Sequence, residues 1–146
     1  MKAIMNRLFQ HIISVFHSTT TFDFAILVFR VALSLELMVV HGLKKVGINV
    51  AEAEKIPNPL HLNEFINNTF AISANLFFPV LVVLGLFTRI AILPILGVTL
   101  TGYFVVHWHD PFLVKDIPFM YSLSYLLILV VGPGRYSVDY FMNHKK

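Results

Sequence analysis

The sequence predicts an all-α fold: an integral membrane four-helix bundle, preceded by an amphipathic helix at the membrane interface. Of the 146 residues, 57% are hydrophobic and only 13% are charged, and the mean hydropathy is +0.75. Soluble domains carry about 25% charged residues, so lipid is the solvent that this composition suits. The length allows one domain, residues 1–146.

Four apolar stretches are long enough to cross a bilayer, whose hydrocarbon core requires roughly 20 residues of helix. These stretches cover residues 24–42, 65–87, 90–106 and 112–131. Membrane β-strands would be shorter and would alternate in polarity, a pattern that these stretches lack. Gly132-Pro133-Gly134 ends the fourth stretch, which leaves residues 132–146 as a tail.

Residues 1–20 show helical amphipathicity, with Ile4, Leu8, Ile12 and Val15 recurring on one face. This pattern indicates a helix that lies in the membrane interface. The alternative is a soluble N-terminal helix packed on its own protein. The segment lacks the continuous apolar core and the small-residue cleavage site of a signal peptide.

The distribution of basic residues predicts that both termini are cytoplasmic, because cytoplasmic loops are enriched in lysine and arginine. The side of the termini carries Lys2, Arg7, Arg89, Arg135, Lys145 and Lys146. The opposite side carries Lys44, Lys45, Lys55 and Lys115. We see no nucleic-acid-binding pattern in these charges.

Polar side chains within or beside the spans form two predicted layers, and ionisable residues in a membrane are functional hypotheses. The candidate site is the outer layer, Glu36, His41, Asn75 and His107. The inner layer, to which we assign a structural role, is Arg30, Arg89, Arg135 and Asp139. The alternative for the histidines is that they cap carbonyls or face headgroups.

The inner layer has simple structural interpretations. Arg30 is long enough to snorkel towards the inner interface. Arg135 and Asp139 are spaced i, i+4, which predicts an ion pair that closes the tail. Thr21 or Asp23, just before the first stretch, is expected to cap its helix.

The sequence has no motif that assigns a reaction or a cofactor. It has no cysteine, and His107-x-His109 lacks the third and fourth ligands of a metal site, so no metal is predicted. A haem between His41 and His107 is an open alternative. Phosphate-binding glycine loops, nucleophile elbows and dinucleotide fingerprints are missing from the sequence.

Several motifs resemble those of the DoxX family of small bacterial membrane proteins. The tail Gly132–Asp139, GPGRYSVD, is similar to the family's GPGRYSLD-type ending. Leu84–Arg89, LGLFTR, is similar to its turn between helices two and three. The first helix, with Arg30, Ser34, His41-Gly42 and Lys44-Lys45, and His107 at the end of helix three also fit.

The resemblance implies a four-helix protein of the bacterial inner membrane. Related proteins are membrane subunits of thiosulfate:quinone oxidoreductases or belong to oxidative-stress complexes, and distant relatives act in membrane-protein assembly. One position departs from the family: Asn75 stands where a glutamate is common, and the small residues that follow are replaced by Phe78-Pro79. This departure puts any chemistry of that glutamate in doubt for this chain.

The leading hypothesis is therefore a small membrane subunit of a redox-linked complex, with a quinone as the cofactor to consider. Its partners would be membrane lipids and other membrane or redox proteins, and a homo-oligomer stays open. The alternatives are an assembly partner of other membrane proteins and a carrier of small molecules or lipids. Whether the protein is itself an enzyme is left open.

Overall fold

A computed structural model describes residues 19–143, and this part of the chain is helical with no β-strand. The first span begins as α1, Thr19–Glu36, continues as a π-helix, Leu37–Gly42, and ends as a 3₁₀ turn, Leu43–Val46. A long loop follows. The amphipathic helix predicted for residues 1–20 lies almost entirely outside the described residues.

The other spans are shorter and contain two interruptions. The second consists of α2, Glu64–Asn75, and α3, Phe77–Leu84, which are separated at Leu76. The third is α4, Thr88–Thr101, extended by a π-helix, Gly102–Val106. The fourth is α5, Phe112–Val131, and a short helix α6, Val138–Asn143, ends the described chain.

Four of these helical segments are long and apolar enough to cross a membrane: Thr20–Val46, Glu64–Leu84, Thr88–Val106 and Phe112–Val131. The predicted all-α membrane bundle is confirmed. The fourth span has the predicted bounds, whereas the second ends three residues earlier and the third begins two residues earlier than predicted. We call the face that carries the start of α1 and residues 132–143 the terminal face, and the opposite face the loop face.

Local chemistry explains where the second span starts and stops. The Asn63 side chain accepts a hydrogen bond from the Phe65 amide at 3.0 Å and so caps α2. At the other end Gly85 adopts φ +68. The amide of Gly85 donates to Val82 O and the amide of Leu86 to Leu81 O, the bonds of a Schellman motif. The chain therefore turns at once into α4.

The core is narrow and the outer surface is apolar, as expected where lipid replaces water. Buried side chains from all four spans meet at Leu37, Val82, Ile92, Ile95, Tyr125 and Ile128. Many large apolar side chains point outward; Phe112 and Leu113, for example, are 85% and 88% exposed. A helix surface of this kind is stable only in lipid or against a partner.

Arg30 joins three parts of the chain at the terminal face. Its side chain is 1% exposed, and its guanidinium donates to Val82 O, Val83 O and Tyr136 O. The first two carbonyls belong to the last turn of α3, where carbonyls lack part of their intrahelical hydrogen bonding; Val82 O also accepts from the Gly85 amide. The snorkelling interpretation of Arg30 is therefore wrong, because the guanidinium is held inside the protein by these carbonyls.

Two aspartates connect the tail to the spans. The Asp139 carboxylate accepts from the Phe87 amide at 2.7 Å and from the Thr88 amide at 2.9 Å. It also accepts from the Thr88 hydroxyl at 2.8 Å, so it caps α4. Asp23 accepts from the Arg135 amide and pairs with its guanidinium at 3.3 Å. We call these contacts, together with those of Arg30, the terminal clamp.

The structure corrects two predictions here. Arg135 does not pair with Asp139, because the Asp139 oxygens are taken by the donors of the turn before α4. Asp23 lies inside α1, so its carboxylate points to the tail and does not cap the helix. Both errors arise because local spacing carries no information about partners more than fifty residues away.

Replacing Asp139 with alanine should destabilise the protein by about 1–3 kcal/mol, because three donors at the start of α4 lose their acceptor. Unfolding of the purified protein by sodium dodecyl sulfate in mild mixed micelles measures this change. The matched control is D116A, which removes an exposed carboxylate of α5 and should stay within about 0.5 kcal/mol of the wild type. Equal effects of both variants would contradict the capping role.

Replacing Gly85 with alanine should also destabilise, by about 2–4 kcal/mol. A Cβ at Gly85 would stand 2.9 Å from Ser137 Cα, and the backbone is in the left-handed region. The control is G97A inside α4, where the nearest atom is Phe70 Cζ at 3.5 Å. The same unfolding titration should find G97A neutral or slightly stabilising, and a stable G85A would show that the tail does not pack tightly on this turn.

Candidate functional site

The candidate site lies in the loop-side half of the first span, where the helix changes its winding. α1 ends at Glu36, and the next six residues, Leu37–Gly42, form a π-helix that contains His41. Short π-helical segments inside α-helices occur frequently at functional sites. Glu36, at the end of α1, is exposed, and His41, within the π-helix, is half-buried.

Tyr121 of α5 completes this group. The His41 and Tyr121 rings meet edge to face, with their centroids 5.3 Å apart. The Glu36 carboxylate is close enough to interact electrostatically with the Tyr121 hydroxyl. Within residues 19–143 none of these three polar groups has a hydrogen-bond partner, although all belong to spans. We call Glu36, His41 and Tyr121 the loop-side polar group.

Asn75 lies on the neighbouring span, at the break between α2 and α3. Asn75 is 3% exposed, and a Cβ added at Gly42 would stand 2.6 Å from the backbone carbonyl oxygen of Asn75. Gly42 therefore lets the second span approach the first directly beside His41. Asn75, an uncharged amide at the position where the resemblance led us to expect a glutamate, thus belongs to the part of the second span that packs against the π-helix.

His107 makes a different contact. Its Nδ1 is 2.7 Å from Asp110 Oδ2, and both residues belong to the turn between the third and fourth spans. Lys115 extends this turn by donating to Trp108 O. The contacts of His107 thus tie it to its own turn and give no link to the loop-side polar group.

The loop after the first span closes over the end of that helix. Glu54 pairs with Lys44 at 3.1 Å and with Lys45 at 3.3 Å, and Lys45 Nζ donates to His41 O at 3.1 Å. Partial burial raises the pKa of Glu54, but the two lysines outweigh it and hold the pKa below its ordinary value of 4.5. At neutral pH the carboxylate is therefore charged and keeps the loop near His41.

The inner-layer residues lie apart from this group, in and around the terminal clamp. Arg30, Arg135 and Asp139 form hydrogen bonds and ion pairs that hold the tail. Arg89 is exposed and lines a cavity of about 490 Å³ on the terminal face. Between residues 19 and 143 no three histidine, aspartate or glutamate side chains are placed to bind one metal ion.

Two important residues were not predicted as partners. Tyr121 and Tyr125 are spaced i, i+4, so they lie on one face of α5. The Tyr125 hydroxyl lies 3.3 Å from Ser34 of α1, so this face is directed at the first span. Two tyrosines at this spacing on an apolar helix could have indicated that face from the sequence. Asp23 had no such signal, since its partner Arg135 is 112 positions away.

The loop-side polar group offers one carboxylate, one imidazole and one phenol at the lipid-facing edge of the bundle. These groups accept and donate hydrogen bonds, and carboxylates and imidazoles transfer protons. A ligand with oxygen acceptors in a flat ring would find donors in His41 and Tyr121. The prediction that Glu36 and His41 belong to a site stays a prediction.

Comparison with known proteins gives a family. Searches of curated proteins and of solved structures found no significant match. The family model of DoxX matches residues 25–108, which include Arg30, Glu36, His41, Asn75 and His107. This match covers more than half of the 146 residues, so the chain belongs to the DoxX family of membrane proteins.

Proposed function

We propose that this protein is a small membrane subunit of a redox-linked complex, and that the loop-side polar group binds the headgroup of a membrane quinone. The observation that carries the proposal is Glu36, an exposed carboxylate inside a span without a hydrogen-bond partner in the described chain. A charge at such a place costs about 2.5–3.5 kcal/mol. A bound ligand, a proton or a neighbouring subunit offsets that cost.

The chemistry of a quinone headgroup fits these side chains. Its two carbonyl oxygens accept hydrogen bonds, which the Tyr121 hydroxyl and the His41 imidazole donate. Reduction to a quinol requires two electrons and two protons. The electrons come from a redox centre on a partner subunit, and Glu36 and His41 pass protons to the oxygens. The quinone reaches the group from the lipid, since Glu36 is exposed on the side of the bundle.

A subunit role is supported by the apolar outer surface as well. The described helices give the quinone and the partner a lipid-facing surface. Purification of the tagged protein from its native membrane in a mild detergent tests this role. A partner that elutes at fixed stoichiometry and contains a flavin or haem is expected; many weakly bound clients would indicate an assembly role instead.

The variants E36Q and Y121F test the headgroup site. In the purified complex E36Q should reduce quinone turnover at least tenfold, because it removes a proton carrier. Y121F should weaken the affinity for a short-chain benzoquinone about fivefold to tenfold, the effect of one lost hydrogen bond. The control D116N changes an exposed carboxylate of α5 and should leave both the quinone turnover and the benzoquinone affinity unchanged. Full turnover in the E36Q/Y121F double variant would refute the site.

We also propose that the protein resides in the bacterial inner membrane with its terminal face in the cytoplasm. Arg89 and Arg135 lie on that face, as the enrichment of basic residues in cytoplasmic loops requires. A fluorescent protein fused after Lys146 should fluoresce, and alkaline phosphatase fused at the same place should be inactive. Active phosphatase at this position would reverse the orientation.

A further inference from the structure

The terminal face has a cavity of about 490 Å³ that is lined in part by residues of the terminal clamp. It lies between the start of α4 and the Gly132–Gly134 turn after α5. Ligand sites in proteins have volumes of roughly 300–1,000 Å³, so the cavity is large enough for a small polar group. Its lining includes Asp23, Arg89, Ile90, Val131, Arg135 and Asp139.

The lining carries two carboxylates and two guanidiniums, and Arg89 is the cation among them that forms no ion pair within the described residues. Asp23 is neutralised by Arg135 at 3.3 Å, and the Asp139 oxygens accept from two amides and one hydroxyl of the α4 start. Arg89 has no carboxylate partner in the described part of the chain. Among the described residues its guanidinium donates to Val130 O at 3.5 Å, the outer limit of a hydrogen bond.

The shape of the Gly132 turn keeps Arg89 accessible. Gly132 has φ +91, and a Cβ there would stand 3.7 Å from Arg89 Nη2. Glycine suits this position because the backbone lies in the left-handed region. Since glycine has no side chain, the space in front of the Arg89 guanidinium stays open. An anionic oxygen that enters this space would form a charge-assisted hydrogen bond with Arg89.

The border of the cavity is apolar. Among the lining residues, Ile90 is 65% exposed and Val131 is 38% exposed. These residues belong to the ends of the third and fourth spans, so they lie where the hydrocarbon core gives way to headgroups. A ligand here would have a charged part against Arg89 and hydrocarbon against Ile90 and Val131.

We propose that this cavity binds the phosphate group of an anionic phospholipid, with Arg89 as the main ligand and Ile90 and Val131 in contact with its acyl chains. A free phosphate ion would use the guanidinium but gain nothing from the apolar border. The bound lipid would hold together the start of α4 and the end of α5, next to the terminal clamp. The site is separate from the proposed quinone site.

Native mass spectrometry of the purified protein, titrated with phosphatidylglycerol, tests this proposal. R89Q should bind phosphatidylglycerol about fivefold more weakly than the wild type, since one basic residue near an anionic lipid contributes about that factor. R89K keeps the positive charge, so its affinity for phosphatidylglycerol should stay within about twofold of the wild-type affinity. The control K55Q removes a lysine from the loop face and should bind phosphatidylglycerol with the affinity of the wild type.

Two further titrations distinguish the source of the phosphate. Phosphatidylcholine, which has no net charge, should bind more weakly than phosphatidylglycerol and respond little to R89Q. Inorganic phosphate should fail to displace the bound phosphatidylglycerol. The proposal is overturned if R89Q binds phosphatidylglycerol as the wild type does, or if inorganic phosphate displaces the lipid. Because R89Q leaves Glu36 and Tyr121 unchanged, its result is independent of the quinone experiments.

Discussion

The structure depends on how one buried guanidinium is satisfied. Arg30 is 1% exposed inside an apolar bundle, where no water compensates for its lost hydration. Its two terminal nitrogens instead donate to Val82 O, Val83 O and Tyr136 O, while its Nε has no hydrogen-bond partner within the described residues. Two of these carbonyls belong to a helix C-terminus, whose partial negative charge favours a cation. The first span, the second span and the tail are therefore fixed relative to one another by a single side chain.

The terminal clamp explains why three distant motifs occur in one chain. The arginine of the first helix, the Leu84–Arg89 turn and the Gly132–Asp139 tail are separate in sequence but form one set of contacts. Gly85 lets Ser137 approach the turn, and Asp139 uses that approach to cap α4. A substitution in one of the three would leave polar groups of the other two without partners.

The four spans and the α-helical class could be predicted from the sequence, because length and hydropathy are properties of local segments. The sequence also indicated Arg30 and the tail as important. It could not pair Arg135 with Asp23, nor Asp139 with the α4 start, because those partners meet only after the spans pack. The π-helix at His41 was equally hidden, since the residues of Leu37–Gly42 suit an ordinary helix. Tyr121 therefore went unrecognised as a neighbour of His41.

The two ends of the bundle use polar residues in opposite ways. At the terminal face of the described chain most buried polar groups are bound within the protein, whereas the exposed Arg89 forms no ion pair within residues 19–143. In the loop-side half the polar groups of Glu36, His41 and Tyr121 lack hydrogen bonds within the described chain. His41 itself belongs to the π-helix Leu37–Gly42. Unsatisfied groups in a membrane raise the free energy of the protein unless something binds them. The stable clamp at one end thus allows the other end to keep groups whose partners come from outside the chain.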